Sequence, residues 1–156
     1  MMFFAQLHPL LVPFAVALLV TAVVFEFYGR FQKEESARMA GGFNLRMGLA
    51  FACVALTAGF LGVIGLADLF AEADPRLSLE VKGKVREYLL YHIALACSTV
   101  IIFGSVLVAA RYRSRAAGQV IYFSLLVVGL MTVLATGYYG GELVHRFGLP
   151  QPSPAQ

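Results

Sequence analysis

A chain of 156 residues that is 60% hydrophobic and only 13% charged is not built for water, since a soluble domain carries about a quarter charged residues. Mean hydropathy is +0.78. The formal net charge of +3 is small and split between loops, with no basic run interleaved with aromatics, which argues against a nucleic-acid partner.

Four apolar runs approach or exceed the roughly 18–20 residues that cross a bilayer. All are rich in leucine, valine and alanine, so they read as helices and not as barrel strands. The fold class is therefore all-α, an integral membrane antiparallel four-helix bundle over residues 1–148, surrounded by lipid. The N-terminal run lacks a positive leader region and a small-x-small cleavage site, so it reads as a retained first span and not a signal peptide.

Span 1 covers residues 8–28. Pro9 suits a first helical position, where the missing N–H is not needed, and Pro13 follows one turn later. The stretch GRFQKEESARMAGGFNLR then reads as a polar loop. Span 2 covers 47–70 and carries Gly59, Gly62 and Gly65 at steps of three, which lets a helix or a flat group approach its backbone. In the next loop Pro75 breaks any helix, and residues 77–86 form a short amphipathic piece at the interface. Span 3 covers 87–110 and ends in the basic turn RYRSR. Span 4 covers 118–140, and residues 149–156 make a flexible polar tail.

Short connections make the helices pack up-down-up-down. No internal repeat is strong enough to argue an inverted-repeat transporter. Cys53 and Cys97 lie in different spans at different depths, so they read as packing residues and not a disulfide. The absence of CxxCH excludes covalent c-type haem attachment. Arg30, Lys33, Arg38, Arg46, Arg111, Arg113 and Arg115 fall on one side, against Arg76, Lys82, Lys84, Arg86 and Arg146 on the other. The positive-inside rule then places both termini on the non-cytoplasmic side of a bacterial inner (cytoplasmic) membrane.

Topology gives the three histidines one address. His8 begins span 1, His92 lies about one turn into span 3, and His145 follows span 4, so all fall in the outer half of the bilayer. Asp68 and Glu142 share that half. An ionisable group within a span costs about 2.5–3.5 kcal/mol on insertion scales unless it is partnered. Glu26 lies at the opposite end, where a loop arginine is available to it.

Three chemistries fit His8, Asp68, His92, Glu142 and His145. Two histidines on facing helices are axial ligands for one non-covalent haem b. The pair is His8 and His92 with His145 as the alternative ligand, while Gly62, Gly140 and Gly141 leave room and Arg86 and Arg146 meet the propionates. The same histidines with Asp68 or Glu142 are ligand types for zinc, copper or non-haem iron, although the spacing matches no local metal motif. A histidine and a carboxylate at the interface also suit proton exchange with quinol. The plainer alternatives are that His8 caps its helix, that His145 is solvated, and that His92 bonds Asp68, Tyr91 or a backbone carbonyl. Tyr88, Tyr91, Tyr138 and Tyr139 read as an interfacial aromatic belt.

The stretch LHPLLVPFAVALLVTAVVFEFYGR resembles the opening helix of the bacterial predicted membrane proteins called domain of unknown function 2231. The family features appear as His8-Pro9, Glu26, Gly65-Leu66-Ala67-Asp68, His92, and Gly140-Gly141-Glu142-Leu143-Val144, across nearly the whole chain. The close differs: relatives often continue with a tyrosine and then Arg-His-Gly, where this chain has His145-Arg146-Phe147-Gly148. Such domains occur fused to cytochrome c-like or Rieske-type modules, so the resemblance implies electron transfer and a redox partner of that kind.

The resulting expectation is a cytochrome b-like electron-transfer protein holding one haem near the outer side and exchanging electrons with quinol. It is an accessory subunit more than an enzyme, as no soluble catalytic domain is present. The alternatives are a non-catalytic membrane subunit or scaffold with no cofactor, and a non-haem metal protein using the same histidines.

Overall fold

The computed structural model describes residues 2–65 and 79–149. These form α1 (Met2–Phe31), α2 (Glu35–Gly65), α3 (Leu79–Ala109) and α4 (Ala116–His145), with a 3-10 turn at Ala110–Tyr112 joining the last two. Each of the four helices is long and apolar enough to cross a membrane, and no strand occurs among the described residues. Large apolar side chains also cover the outside: Phe14, Val24, Ile101, Val120 and Met131 are all exposed. A helix that is apolar on every side needs lipid around it. The chain is therefore a multi-pass membrane protein in contact with the bilayer.

α1 packs along α2 and α3 along α4, with sparser contacts between α1 and α4 and between α2 and α3. The helices thus form two tight antiparallel hairpins, with α1 and α3 on a diagonal. Glycine sets how closely each hairpin closes. A Cβ at Gly48 would lie 2.9 Å from Leu19, and one at Gly129 would lie 2.9 Å from the Phe103 ring. Leu19, Ala22, Leu45, Phe103, Val106, Tyr122 and Leu126 make up the shared core.

Three local expectations are corrected. The stretch GRFQKEESARMAGGFNLR is not a long loop, since α2 begins at Glu35. Ala37, Gly41, Leu45 and Gly48 are its buried stripe at helical spacing, and the polar residues between them face outward. The turn is confined to residues 32–34, with Lys33 at positive φ and the Glu34 N–H bonded to the Gly29 carbonyl. Likewise, the first helix starts before His8, so Pro9 and Pro13 lie inside it. Their missing N–H groups leave the Ala5 and Pro9 carbonyls without the usual intrahelical donors. The segment 79–86, read as a separate interfacial piece, is the first part of α3.

At the turn end of the bundle, Glu26 is 2% exposed and accepts a 2.8 Å hydrogen bond from Arg113 of the α3–α4 connection. The Arg113 guanidinium also lies 4.6 Å over the Tyr122 ring. This is the loop-arginine partner expected for Glu26. At the other end α4 stops where Gly148 takes a φ of 68°, a backbone region that a side chain disfavours. Both cysteines are free thiols.

Candidate functional site: an apolar cavity between two imidazoles

α1 carries His8 across the face of α2. There the Nδ1–H donates to the Ala55 carbonyl at 2.8 Å. The ring lies against Gly59, where a Cβ would come within 3.0 Å of Nδ1. α3 carries His92 across α4 in the same manner. Its Nδ1–H donates to the Thr136 carbonyl at 3.0 Å, and a Cβ at Gly140 would lie 2.9 Å from Cε1. A carbonyl only accepts, so in each neutral ring the proton is on Nδ1 and the lone pair is on Nε2.

The two rings stand 6.0 Å apart between centroids, with their planes 87° apart. Both are part-buried. They share the wall of a cavity of about 480 Å³, whose lining is mostly aliphatic and glycine. Pro9 and Pro13 line it as well. Among the described residues, no buried side-chain polar atom lacks a partner.

The remaining expected residues divide. His145 lines the same cavity but is exposed. Glu142 is not part of the lining; its carboxylate pairs at 3.3 Å with Arg146, one turn on along α4. Arg146 also lies 5.5 Å from the Phe147 ring and 6.0 Å from the Tyr88 ring. Arg86 is exposed and off the cavity wall. Gly62 and Gly141 line the cavity, but Gly62 sits against the Ala5 backbone and Gly141 meets nothing within 4 Å. Asp68 lies outside the described residues. No group of three or more histidine, cysteine, aspartate or glutamate side chains placed to hold a metal ion occurs among the described residues.

Sequence reasoning offered a backbone carbonyl for His92 without saying which, and passed over the acceptor of His8 and the place of Gly59 under its ring. The signal available was a small or polar residue one turn before a glycine, Ala55 before Gly59 and Thr136 before Gly140. Tyr88, Tyr91, Tyr138 and Tyr139 do cluster, with Tyr139 edge-on to Tyr88 and tilted against Tyr91.

The model of the family described as "Predicted membrane protein (DUF2231)" matches residues 5–151. The chain belongs to this family. The DUF2231 match takes in both hairpins and all three histidines, so the cavity lies within the family's domain. No curated protein and no solved structure matches the chain.

Proposed function

We propose that this DUF2231 protein binds one non-covalent haem b, with His8 and His92 as the axial ligands, and works as a membrane electron carrier. One observation carries the reading: two imidazoles, each tied through Nδ1–H to a backbone carbonyl, stand 6.0 Å apart on the wall of an apolar cavity. Metal-bound histidines commonly donate their second ring nitrogen in this way, which fixes the tautomer and leaves Nε2 as the ligand.

The residues fit the group. His8 and His92, part-buried and tied through Nδ1–H to backbone carbonyls, would be the residues that hold it. A cavity of about 480 Å³ falls within the approximately 300–1,000 Å³ usual for cofactor pockets. A haem iron already has four ring nitrogens, so the protein need supply only two ligands. A zinc or non-haem iron site needs three or more, and the described residues bring no such cluster together. A haem iron thus asks of the chain no more than these two imidazoles.

When bound, the group supplies a one-electron couple. The chain's own residues do the rest. The Ala55 and Thr136 carbonyls hold the rings in one tautomer, the glycines keep the backbone clear, and the aliphatic lining excludes water. His145, exposed on the same cavity, remains to exchange protons with a quinol. The histidine half of the bundle is assigned to the outer face of the bacterial inner membrane. The redox partner there is a cytochrome c-like or Rieske-type module.

A scaffold reading rests on the same hydrogen bonds, which by themselves would lock each hairpin's register. An absorption spectrum of purified protein with metal analysis separates the readings. A reducible Soret and α band, lost in His92→Ala, supports haem. A colourless protein with stoichiometric zinc or copper supports the non-haem site. A colourless, metal-free, folded protein leaves the scaffold.

A further inference from the structure

The two hairpins repeat one another in register. An identical interval separates His8 from Leu19 and His92 from Phe103, and likewise Gly48 from Gly59 and Gly129 from Gly140. In the first hairpin Leu19 packs on Gly48 and His8 on Gly59; in the second Phe103 packs on Gly129 and His92 on Gly140. Ala22 and Val106 follow at matching positions and both are fully buried; Leu45 and Leu126 match in the second helix of each pair and are 1% and 0% exposed. The acceptors Ala55 and Thr136 also correspond, each one turn before its glycine.

The packing between hairpins obeys the same relation. α1 touches α4 as α3 touches α2, and the matching helices occupy opposite corners. α1 and α3 run in the same direction, so the halves are related by a two-fold axis along the bundle. This is the geometry of a parallel repeat and not an inverted one. The axis passes between His8 and His92, which face each other from diagonal helices.

We propose that the binding site is one half-site built twice, in which the Ala55 carbonyl with Gly59 and the Thr136 carbonyl with Gly140 are the positioning groups for equivalent ligands His8 and His92. The role of the imidazoles as ligands rests on the haem reading above; the equivalence of the half-sites rests on the register alone. Each carbonyl sets the tautomer of its ring. Each glycine lets that ring lie against the neighbouring backbone, where an alanine Cβ would collide with it. A side chain at either glycine pushes one ring away from its acceptor and leaves the other half untouched. At other matching positions the side chains differ: Leu19 corresponds to Phe103 and Ala22 to Val106, both larger in the second hairpin.

The test uses nitrogen-15 histidine NMR on the full chain in detergent without added haem, followed by haem titration. His8→Gln and His92→Gln assign the signals. The proposal expects both rings in the Nδ1–H form, with Gly59→Ala disturbing only His8 and Gly140→Ala only His92. On titration each alanine variant should lose about 10–100-fold in haem affinity, as outer partners of metal ligands do. An Nε2–H tautomer in either ring of the wild type overturns the proposal, and that readout stands even if an alanine variant does not fold. Full haem affinity in a folded Gly59→Ala or Gly140→Ala protein also overturns it. If the tautomers are as expected but the wild type takes up no haem, the duplicated half-site stands and the haem reading falls.

Discussion

Arg113 is the residue whose removal tests the packing of the bundle most sharply. Its guanidinium donates to Glu26 at 2.8 Å, and the carboxylate it meets is only 2% exposed while Arg113 itself is 32% exposed. Arg113→Ala removes the guanidinium bonded to a carboxylate that is buried between Gly41, Gly42 and the core. Breaking a buried pair from that side costs about 3–5 kcal/mol. Glu26→Gln leaves the mirror situation far milder, because the partly exposed guanidinium reaches water and keeps its place over Tyr122. The loss there is that of one charge-assisted hydrogen bond, about 1.5–3 kcal/mol. The expected order is therefore Arg113→Ala well below Glu26→Gln, with the double variant Glu26→Gln/Arg113→Ala recovering part of the difference. Reversible unfolding in mixed detergent micelles, followed by circular dichroism, measures all three. A cost below about 1 kcal/mol for Arg113→Ala, or the reverse order, would refute the claim that this pair ties α1 to the α3–α4 connection.

Other outcomes follow from the same geometry. Gly48→Ala places a Cβ 2.9 Å from Leu19 Cγ and 3.0 Å from its backbone nitrogen, so it should destabilise by about 1–3 kcal/mol. Gly137→Ala meets open space and should be neutral or stabilising by up to about 1 kcal/mol; the same detergent unfolding assay compares the two. His145→Ala should retain haem and its absorption bands, whereas His8→Ala and His92→Ala should each lose the low-spin spectrum. A reporter fused after Gln156 should be silent in the cytoplasm, and activity there would reverse the assigned orientation.

The four spans were legible because hydropathy alone reports a lipid-facing helix. So was the shared side of the histidines, which needs only the count of crossings. Helix extent was less legible. Residues 35–46 carry a buried stripe of small residues under a polar face, and a hydropathy reading registers only the face. The partner of His92 was among those foreseen, a backbone carbonyl, but which carbonyl depends on the antiparallel register of α3 and α4. The same register decides that Gly59 and not Gly62 lies under the His8 ring. Glu142 pairs instead with Arg146, four residues on at the C-terminal cap of α4. The internal repeat was hidden because core pairs of the first helix in each hairpin, Leu19 with Phe103 and Ala22 with Val106, preserve position and not identity.

The central claim is that His8 and His92 together hold one ring-bound iron. Electron paramagnetic resonance of the ferric, haem-loaded protein tests it most directly. With the imidazole planes held near the 87° seen between them, the account predicts a low-spin, strongly axial signal with one large g value at one haem per chain, converting to high-spin in either His8→Ala or His92→Ala. A high-spin wild-type signal, or a low-spin signal that survives both substitutions, would contradict it.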